Sequence, residues 1–325
     1  MSQHIEPIPH PDSGLVVYDQ LPGIVAQAGP RAGRRFVEFF TAEIENDHTR
    51  AAYARAIARF LMWCEGAGLT LEQIEPILVA TYIKRLGRQL SKTSVKQHLA
   101  AIRHLFDYLV TGQVIPFNPA ASVRGPKHKA KRGKTPVLSA EDTRRLLDSI
   151  PTTTVVGLRD RALLGVMVYS FARVSAVLGM RVRDYYPNGK RWWFRLLEKG
   201  GKHHEVPAHH TAEEYMDAYL DAAQIREESA SPLFQSANRF RRLTGAGLHR
   251  SDVFAMIRRR ARAAGIATQI SCHTFRATGI TNFLENGGSL EHAQQIAAHE
   301  SPRTTKLYDR RNDQITLDEI ERIQI

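Results

Sequence analysis

Tyr308 lies in the stretch HESPRTTKLYDRR (residues 299–311), where most of its neighbours are basic or polar. A free phenol has a pKa of about 10 and is a poor nucleophile at pH 7, so it needs strong positive charge nearby and an electrophile that the same charge activates. A phosphodiester held by two arginines meets both needs, because the guanidinium groups neutralise the charge that develops on its non-bridging oxygens. The residue types around Tyr308 therefore favour attack on a phosphodiester.

Arg173 is the first candidate for holding such an anion, since it lies in the apolar stretch VMVYSFARVSAVLGM (166–180). A buried arginine needs an anionic partner, because an unpaired buried charge is costly. Ala176 and Val177 occupy the positions three and four residues later, so no acid lies within one helical turn. An internal salt bridge remains the alternative, but the pattern favours a bound anion as the partner.

His273 and Arg276, in the motif HTFR, are spaced to share one face of a helix start. That face would present a proton-transfer group beside a fork of N–H donors that matches two phosphate oxygens. A solvated surface pair is the ordinary interpretation of such a spacing. Lys199, at the Lys-Gly-Gly-Lys turn of a predicted hairpin, is either a solvated turn residue or a proton donor within reach of a ligand.

The elements that must position these residues are mostly helical. Apolar residues recur at helical spacing in most segments after residue 33, and one alternating segment, RWWFRLLEKGGKHHEVPAH (191–209), predicts a β-hairpin. The fold class is therefore mainly α with a small antiparallel β-sheet. The predicted organisation has four parts: a flexible N-terminal arm at 1–32, a helical domain at 33–122, a basic linker at 123–137 and a second domain at 138–325.

Composition narrows the partner. The 325-residue chain carries a net charge of +12, which favours a polyanion such as nucleic acid over a merely soluble basic protein. Cys64 and Cys272 are far apart and form no CxxC pair, so we expect neither disulfides nor a zinc ribbon, in keeping with the cytoplasm. The first residues do not form a signal peptide, and we expect no membrane partner.

Six of these residues follow one another in an order that resembles the tyrosine recombinases, the family of phage integrases and Xer recombinases. In that family an arginine in TGxR is followed by a lysine on a β-hairpin, then HxxR, a histidine and a tyrosine in LGHxxxxTTxxY. This chain reads SFARVSAV, EKGGK, HTFR and AAHESPRTTKLY, and the resemblance spans residues 35–325. The implied catalytic residues are Arg173, Lys199, His273, Arg276, His299 and Tyr308.

Two departures from the family pattern stand out. Ala172 is taken to replace the glycine of TGxR, and Ala176 replaces the acidic residue three positions after the arginine. Asp184 and Glu198 are the candidates to supply the missing carboxylate. Lys202 is the alternative to Lys199.

The resemblance implies a two-domain clamp around DNA that performs site-specific recombination through a 3′-phosphotyrosine and a Holliday junction. Tyr308 would attack the scissile phosphate, with the two arginines on its oxygens and Lys199 protonating the leaving 5′-oxygen. His273 would act in acid–base catalysis, and His299 would hydrogen-bond the phosphate. No metal and no cofactor are expected, since HHEVPAHH (203–210) does not form HExxH.

Partners follow from the same resemblance. They are a double-stranded recombination site, other copies of the chain in a tetramer on two sites, and an accessory or partner recombinase. The predicted DNA-binding residues are Arg50, Lys92, Lys127, Lys129, Lys131 and Arg132. The last predicted helix, ITLDEIERI (315–323), would pack on its own domain or on a neighbour. A type IB topoisomerase and a DNA-binding protein that has lost catalysis remain the alternatives.

Overall fold

The computed structural model describes residues 21–127, 133–198, 200–310 and 321, and their contacts separate two units, Met1–Lys129 and Ala130–Ile325. The division lies inside the stretch interpreted as a linker. Each unit has its own apolar core. Among the described residues no helix has the length and apolar character needed to cross a bilayer.

Unit 1 is entirely helical in its described part. Its α-helices are α1 Gly23–Gln27, α2 Pro30–Glu38, α3 Asp47–Glu65, α4 Pro76–Leu86 and α5 Lys92–Thr111. Asn46 caps α3 and Ser91 caps α5, each by accepting a hydrogen bond from the backbone N–H three residues later. The apolar stripes of α3 and α5 face each other in the core, as their spacing predicts.

The prediction of a flexible arm at 1–32 is wrong for α1, Gly23–Gln27, which is ordered and packed. Ile24 and Val25 are each 1% exposed, and the backbone N–H of Ile24 donates to Oε1 of Glu65 at 2.8 Å. The short helix α1 thus packs on α3, because two apolar residues provide enough buried surface to order it. Residues 1–20 lie outside the described residues.

Unit 2 is mainly helical and carries two small antiparallel sheets. In chain order it contains α6 Ala140–Asp148, α7 Val155–Tyr169, α8 Val174–Leu178, β1 Tyr185–Asn188, β2 Arg191–Leu197, β3 His203–Pro207, α9 His210–Ala223, β4 Gln235–Ala237, β5 Leu243–Gly247, α10 Arg250–Ala263, α11 Cys272–Glu285, α12 Leu290–Ile296 and α13 Pro302–Lys306. The predicted hairpin is confirmed, with Leu197 of β2 opposite His203 of β3. Sequence analysis missed β1, β4, β5 and α9.

Helices α7 and α11 form the framework of unit 2. Both are buried along nearly all of their length, which explains why neither shows a polar face. They approach closely at Gly279, where an added Cβ would lie 2.1 Å from the carbonyl oxygen of Val168 and 2.7 Å from Cδ1 of Phe171. Glycine at this position allows α11 to carry Arg276 up to the end of α7.

Gly279→Ala is expected to destabilise the protein by roughly 2–3 kcal/mol, because the methyl group meets backbone that cannot move without separating the two helices. Thermal and urea denaturation of the full chain measure the effect. Gly179→Ala is the matched control, since its Cβ would meet nothing closer than 3.4 Å. Equal stability of the two variants would contradict the close approach of α7 and α11.

Candidate active site

Arg276 is 2% exposed and projects from the first turns of α11. Its Nη1 donates to the carbonyl of Phe171, which follows α7, and its Nη2 donates to the carbonyl of Ala297, which follows α12. Burial, together with the charge of Arg173, lowers the pKa of Arg276 to about 10. The guanidinium therefore stays charged at neutral pH while two other elements hold its plane in place.

The backbone on both sides of Arg276 is strained. Phe171 has φ of 54° and Ala298 has φ of 47°, a left-handed conformation that glycine adopts most easily. Placing TGxR on SFAR puts the family's glycine at Phe171, so the assignment of that replacement to Ala172 was wrong. Ala298 likewise occupies the glycine position of LGH. Non-glycine residues keep these turns because Phe171 is packed in the core, 5% exposed, against Phe283.

Arg173 caps the start of α8, and its side chain is 32% exposed. Its Nη1 forms an ion pair with Oε2 of Glu198, whose side chain is 4% exposed at the end of β2. The alternative of an internal salt bridge is therefore confirmed for Arg173, and its partner is distant in sequence. Asp184, the other candidate acid, instead accepts from the backbone N–H of Arg181 at 2.8 Å.

His299 is 7% exposed, lies in the field of both arginines and contacts the ring of Tyr308. Its Nδ1 is 2.9 Å from the hydroxyl of Thr305. Burial, followed by the charges of Arg276 and Arg173, lowers the pKa of His299 from 6.5 to about 3. The imidazole is therefore neutral at physiological pH, and in the tautomer in which Nδ1 accepts from Thr305 the Nε2–H is a hydrogen-bond donor.

Tyr308 lies in the turn that follows α13, which ends at Lys306. Its side chain interacts electrostatically with Arg276, and its ring is parallel to that of His299 with centroids 5.8 Å apart. The Tyr308 carbonyl accepts from the hydroxyl of Thr281 at 2.9 Å. The tyrosine is thus anchored to α11 through its backbone, and its side chain lies in the field of the arginine that α11 carries.

His273 is solvent-accessible at the start of α11. Partial burial, then the charges of Arg250, Arg276 and Arg173, lower the pKa of His273, so a neutral ring that can accept a proton is favoured. Lys199 lies outside the described residues. The alternative lysine, Lys202, is exposed, and its carbonyl accepts from the backbone N–H of Glu198 at 2.8 Å.

Five of the six predicted catalytic residues are therefore described, and the structure brings them together at one site. Sequence reasoning missed Thr305 and Arg250, and it named Glu198 only as one of two candidate acids. The repeated threonine of TTxxY marked Thr305, whereas nothing local marks Arg250, which begins α10, as a neighbour of His273.

The structure describes only three of the six predicted DNA-binding residues. Arg50 donates to Asp47 at 2.7 Å and to the carbonyl of Ile44 at 2.7 Å, so its guanidinium is engaged inside unit 1. Lys92 and Lys127 are exposed. Lys129, Lys131 and Arg132 lie outside the described residues, as does the predicted last helix at 315–323 apart from Glu321.

The depressed pKa of His299 makes stability depend on pH. Below pH 6.5 the unfolded chain binds a proton at this histidine and the folded chain does not, so stability falls as pH decreases toward 3. Between pH 7 and pH 5 the loss from this group is roughly 1–2 kcal/mol. In urea titrations at a series of pH values, His299→Gln is expected to show a shallower decline than the parent protein. His292→Gln, which removes an exposed histidine of unit 2, is the control, and a slope unchanged by His299→Gln would contradict the assignment.

Comparison with known proteins identifies the family of the chain. The model for the "Phage integrase family" matches residues 136–314, and the model for the "Phage integrase, N-terminal SAM-like domain" matches residues 34–113. Tyrosine recombinase XerD of Chlorobaculum tepidum is 31% identical over 280 residues, which cover 84% of this chain and 89% of that relative.

Two solved structures share the fold. One is XerH bound to palindromic difH substrate in a post-cleavage complex, with a TM-score of 0.66 and 19% identity over 80% of this chain and 75% of that chain. The other is a lambda integrase tetramer bound to a Holliday junction, with a TM-score of 0.60 and 17% identity over 83% of this chain and 76% of that chain. With one family model covering residues 136–314 and a recombinase 31% identical over most of its length, the chain belongs to the phage integrase family of tyrosine recombinases.

Proposed function

We propose that the protein is a site-specific DNA recombinase that cuts and rejoins strands through a covalent phosphotyrosine. One observation carries the proposal: the Tyr308 ring lies parallel to that of the neutral His299, 5.8 Å away, in the field of the buried Arg276, all within one chain. Nucleophile and anion-binding groups are therefore already assembled without a partner.

In the cleavage step the Tyr308 hydroxyl oxygen attacks the scissile phosphorus and loses its proton to neutral His273. The bond to the 5′-oxygen breaks, leaving a 3′-phosphotyrosine and a 5′-hydroxyl that takes its proton from Lys199. Arg173 and Arg276 stabilise the charge on the non-bridging oxygens. The covalent link retains the energy of the phosphodiester, so a 5′-hydroxyl of another strand reverses the step without ATP.

His299 fits the role of a neutral donor in this step. A neutral imidazole offers one N–H to a phosphate oxygen without adding a third positive charge beside two arginines, whose mutual repulsion already acts on the site. The hydroxyl of Thr305 fixes the ring by its contact with Nδ1. Because Tyr308 lies against His299 and in the field of Arg276 of its own chain, we propose cleavage in cis.

The proposed partner is double-stranded DNA, with Lys92, Lys127 and the basic stretch KHKAKRGK (127–134) on its phosphates. The lambda integrase homologue has been solved as a tetramer on a Holliday junction. We propose the same assembly here, with two DNA sites and four copies of the chain. We also propose that a partner recombinase or accessory protein joins this assembly, and that a mobile element uses the reaction.

Tyr308→Phe is expected to abolish covalent attachment to DNA while leaving DNA affinity near that of the parent protein, because only the attacking oxygen is removed. The probe is a pool of short duplexes of random sequence, each with one nick, so that a fragment diffuses away after cleavage and traps the adduct. Adducts are recovered after denaturation in detergent and sequenced.

The control is Tyr186→Phe, which removes another hydroxyl of unit 2 at the surface of β1. Failure of the parent protein to form any adduct that depends on Tyr308 would overturn the proposed chemistry and leave a DNA-binding protein. An adduct that supports strand relaxation without joining to a second duplex would indicate a topoisomerase instead.

A further inference from the structure

The ion pair between Arg173 and Glu198 joins two parts of the site that are 25 residues apart. Arg173 comes from the turn between α7 and α8, and Glu198 comes from the end of β2. The carboxylate is almost fully buried, with 4% of its side chain exposed, whereas the arginine is 32% exposed. The buried partner is therefore the fixed one, and the more exposed guanidinium is oriented by it.

No nearer acid serves Arg173. Ala176 occupies the position one helical turn later and is 2% exposed, so the first turn of α8 offers no carboxylate. Within the described ranges, Glu198 is the acid that forms an ion pair with Arg173. A buried carboxylate at this point is costly unless it is paired, so the burial of Glu198 depends on its ion pair with Arg173.

The backbone holds Glu198 firmly in place. Its N–H donates to the carbonyl of Lys202 at 2.8 Å, and its carbonyl accepts from the N–H of Gly201 at 3.2 Å. The ladder between β2 and β3 continues directly behind it, from Leu197 opposite His203. With both backbone groups bonded, the position of the carboxylate is set by the hairpin.

The field of Glu198 also reaches the second arginine. Its negative charge opposes the lowering of the Arg276 pKa that burial and Arg173 cause. One carboxylate thus acts on both guanidinium groups, orienting one directly and reducing the repulsion between the two.

We propose that Glu198 is a positioning residue that orients the Arg173 guanidinium toward the scissile phosphate, in place of the carboxylate that Ala176 lacks. One guanidinium nitrogen is held by Glu198, and the other N–H groups remain available to the non-bridging oxygens. The inference rests on the proposed strand-cleavage function and adds to it the residue on which the geometry of Arg173 depends.

Loss of the Glu198 charge is expected to change DNA affinity and cleavage rate in opposite directions. Glu198→Gln removes one negative charge from the site, so attraction for the phosphate backbone stays equal or increases. The guanidinium, however, loses its ionic anchor and spends less time in the productive orientation. Cleavage at saturating DNA is expected to slow by about 10- to 100-fold, the range for a misplaced catalytic contact.

The experiment measures both quantities on one duplex recovered from the random pool described above. Single-turnover adduct formation at saturating DNA gives the cleavage rate, and a binding titration of the Tyr308→Phe background gives the affinity. Glu205→Gln is the matched control, because Glu205 lies on the same hairpin and pairs with Arg195 at 2.8 Å, but is 44% exposed. It is expected to keep the parent rate.

Slow cleavage at undiminished affinity in Glu198→Gln supports the inference. An unchanged rate overturns it, as does a parallel loss of rate, affinity and melting temperature, which would mark Glu198 as merely structural.

If Glu198→Gln does not fold, Glu198→Asp takes its place. This variant keeps the charge but shortens the reach, so a slower rate at parent affinity supports the inference and the parent rate overturns it. Because the parent protein is measured alongside, failure of the proposed function appears as no adduct at all, which separates the two failures.

A relocated carboxylate gives an independent readout. The double variant Ala176→Glu with Glu198→Gln returns an acid to the position one turn after Arg173. It is expected to cleave at least tenfold faster than Glu198→Gln alone. Ala176→Glu alone is the control for packing at this buried position. If that single variant cleaves at the parent rate and the double variant remains as slow as Glu198→Gln, the orienting role of the carboxylate is contradicted.

Discussion

The burial of the Arg276 charge is the constraint on which the rest of unit 2 depends. A guanidinium that is 2% exposed must have acceptors for its N–H groups, because an unsatisfied buried charge would cost several kcal/mol. Two backbone carbonyls, of Phe171 and Ala297, supply them from opposite sides of the site. The α7–α8 turn and the end of α12 are therefore placed by one side chain, and Arg173 and His299 are placed with those turns.

The same positive charge governs the protonation of its neighbours. His299 and His273 both have lowered pKa values, because burial and two or more arginines disfavour a further positive charge. Both rings are therefore favoured in the neutral form at physiological pH. Glu198, at the end of β2, reduces the repulsion between the two arginines.

Much of the site could be predicted from the sequence, because HTFR, TTKLY and the arginine between two helices are local patterns with fixed spacing. The hairpin was also visible locally, from its alternating residues and its turn. Asp184 and Glu198 were both candidates for the missing carboxylate, and the sequence could not choose between them, since Glu198 is separated from Arg173 by a whole β1–β2 segment. The family's glycine was assigned to Ala172, whereas the left-handed φ of 54° lies at Phe171.

By itself the sequence determined the residue types of the site, their order, and the helices and hairpin that carry them, because capping, periodicity and turn chemistry act over a few residues. Only the tertiary structure decided the electrostatics. The pKa values, the pairing of Arg173 with Glu198, and the electrostatic interaction of Tyr308 with Arg276 depend on burial and on distances between elements far apart in the chain. Those quantities exist only once α7, α11 and the hairpin have packed together, since that packing removes water from the charges and sets the distances between them.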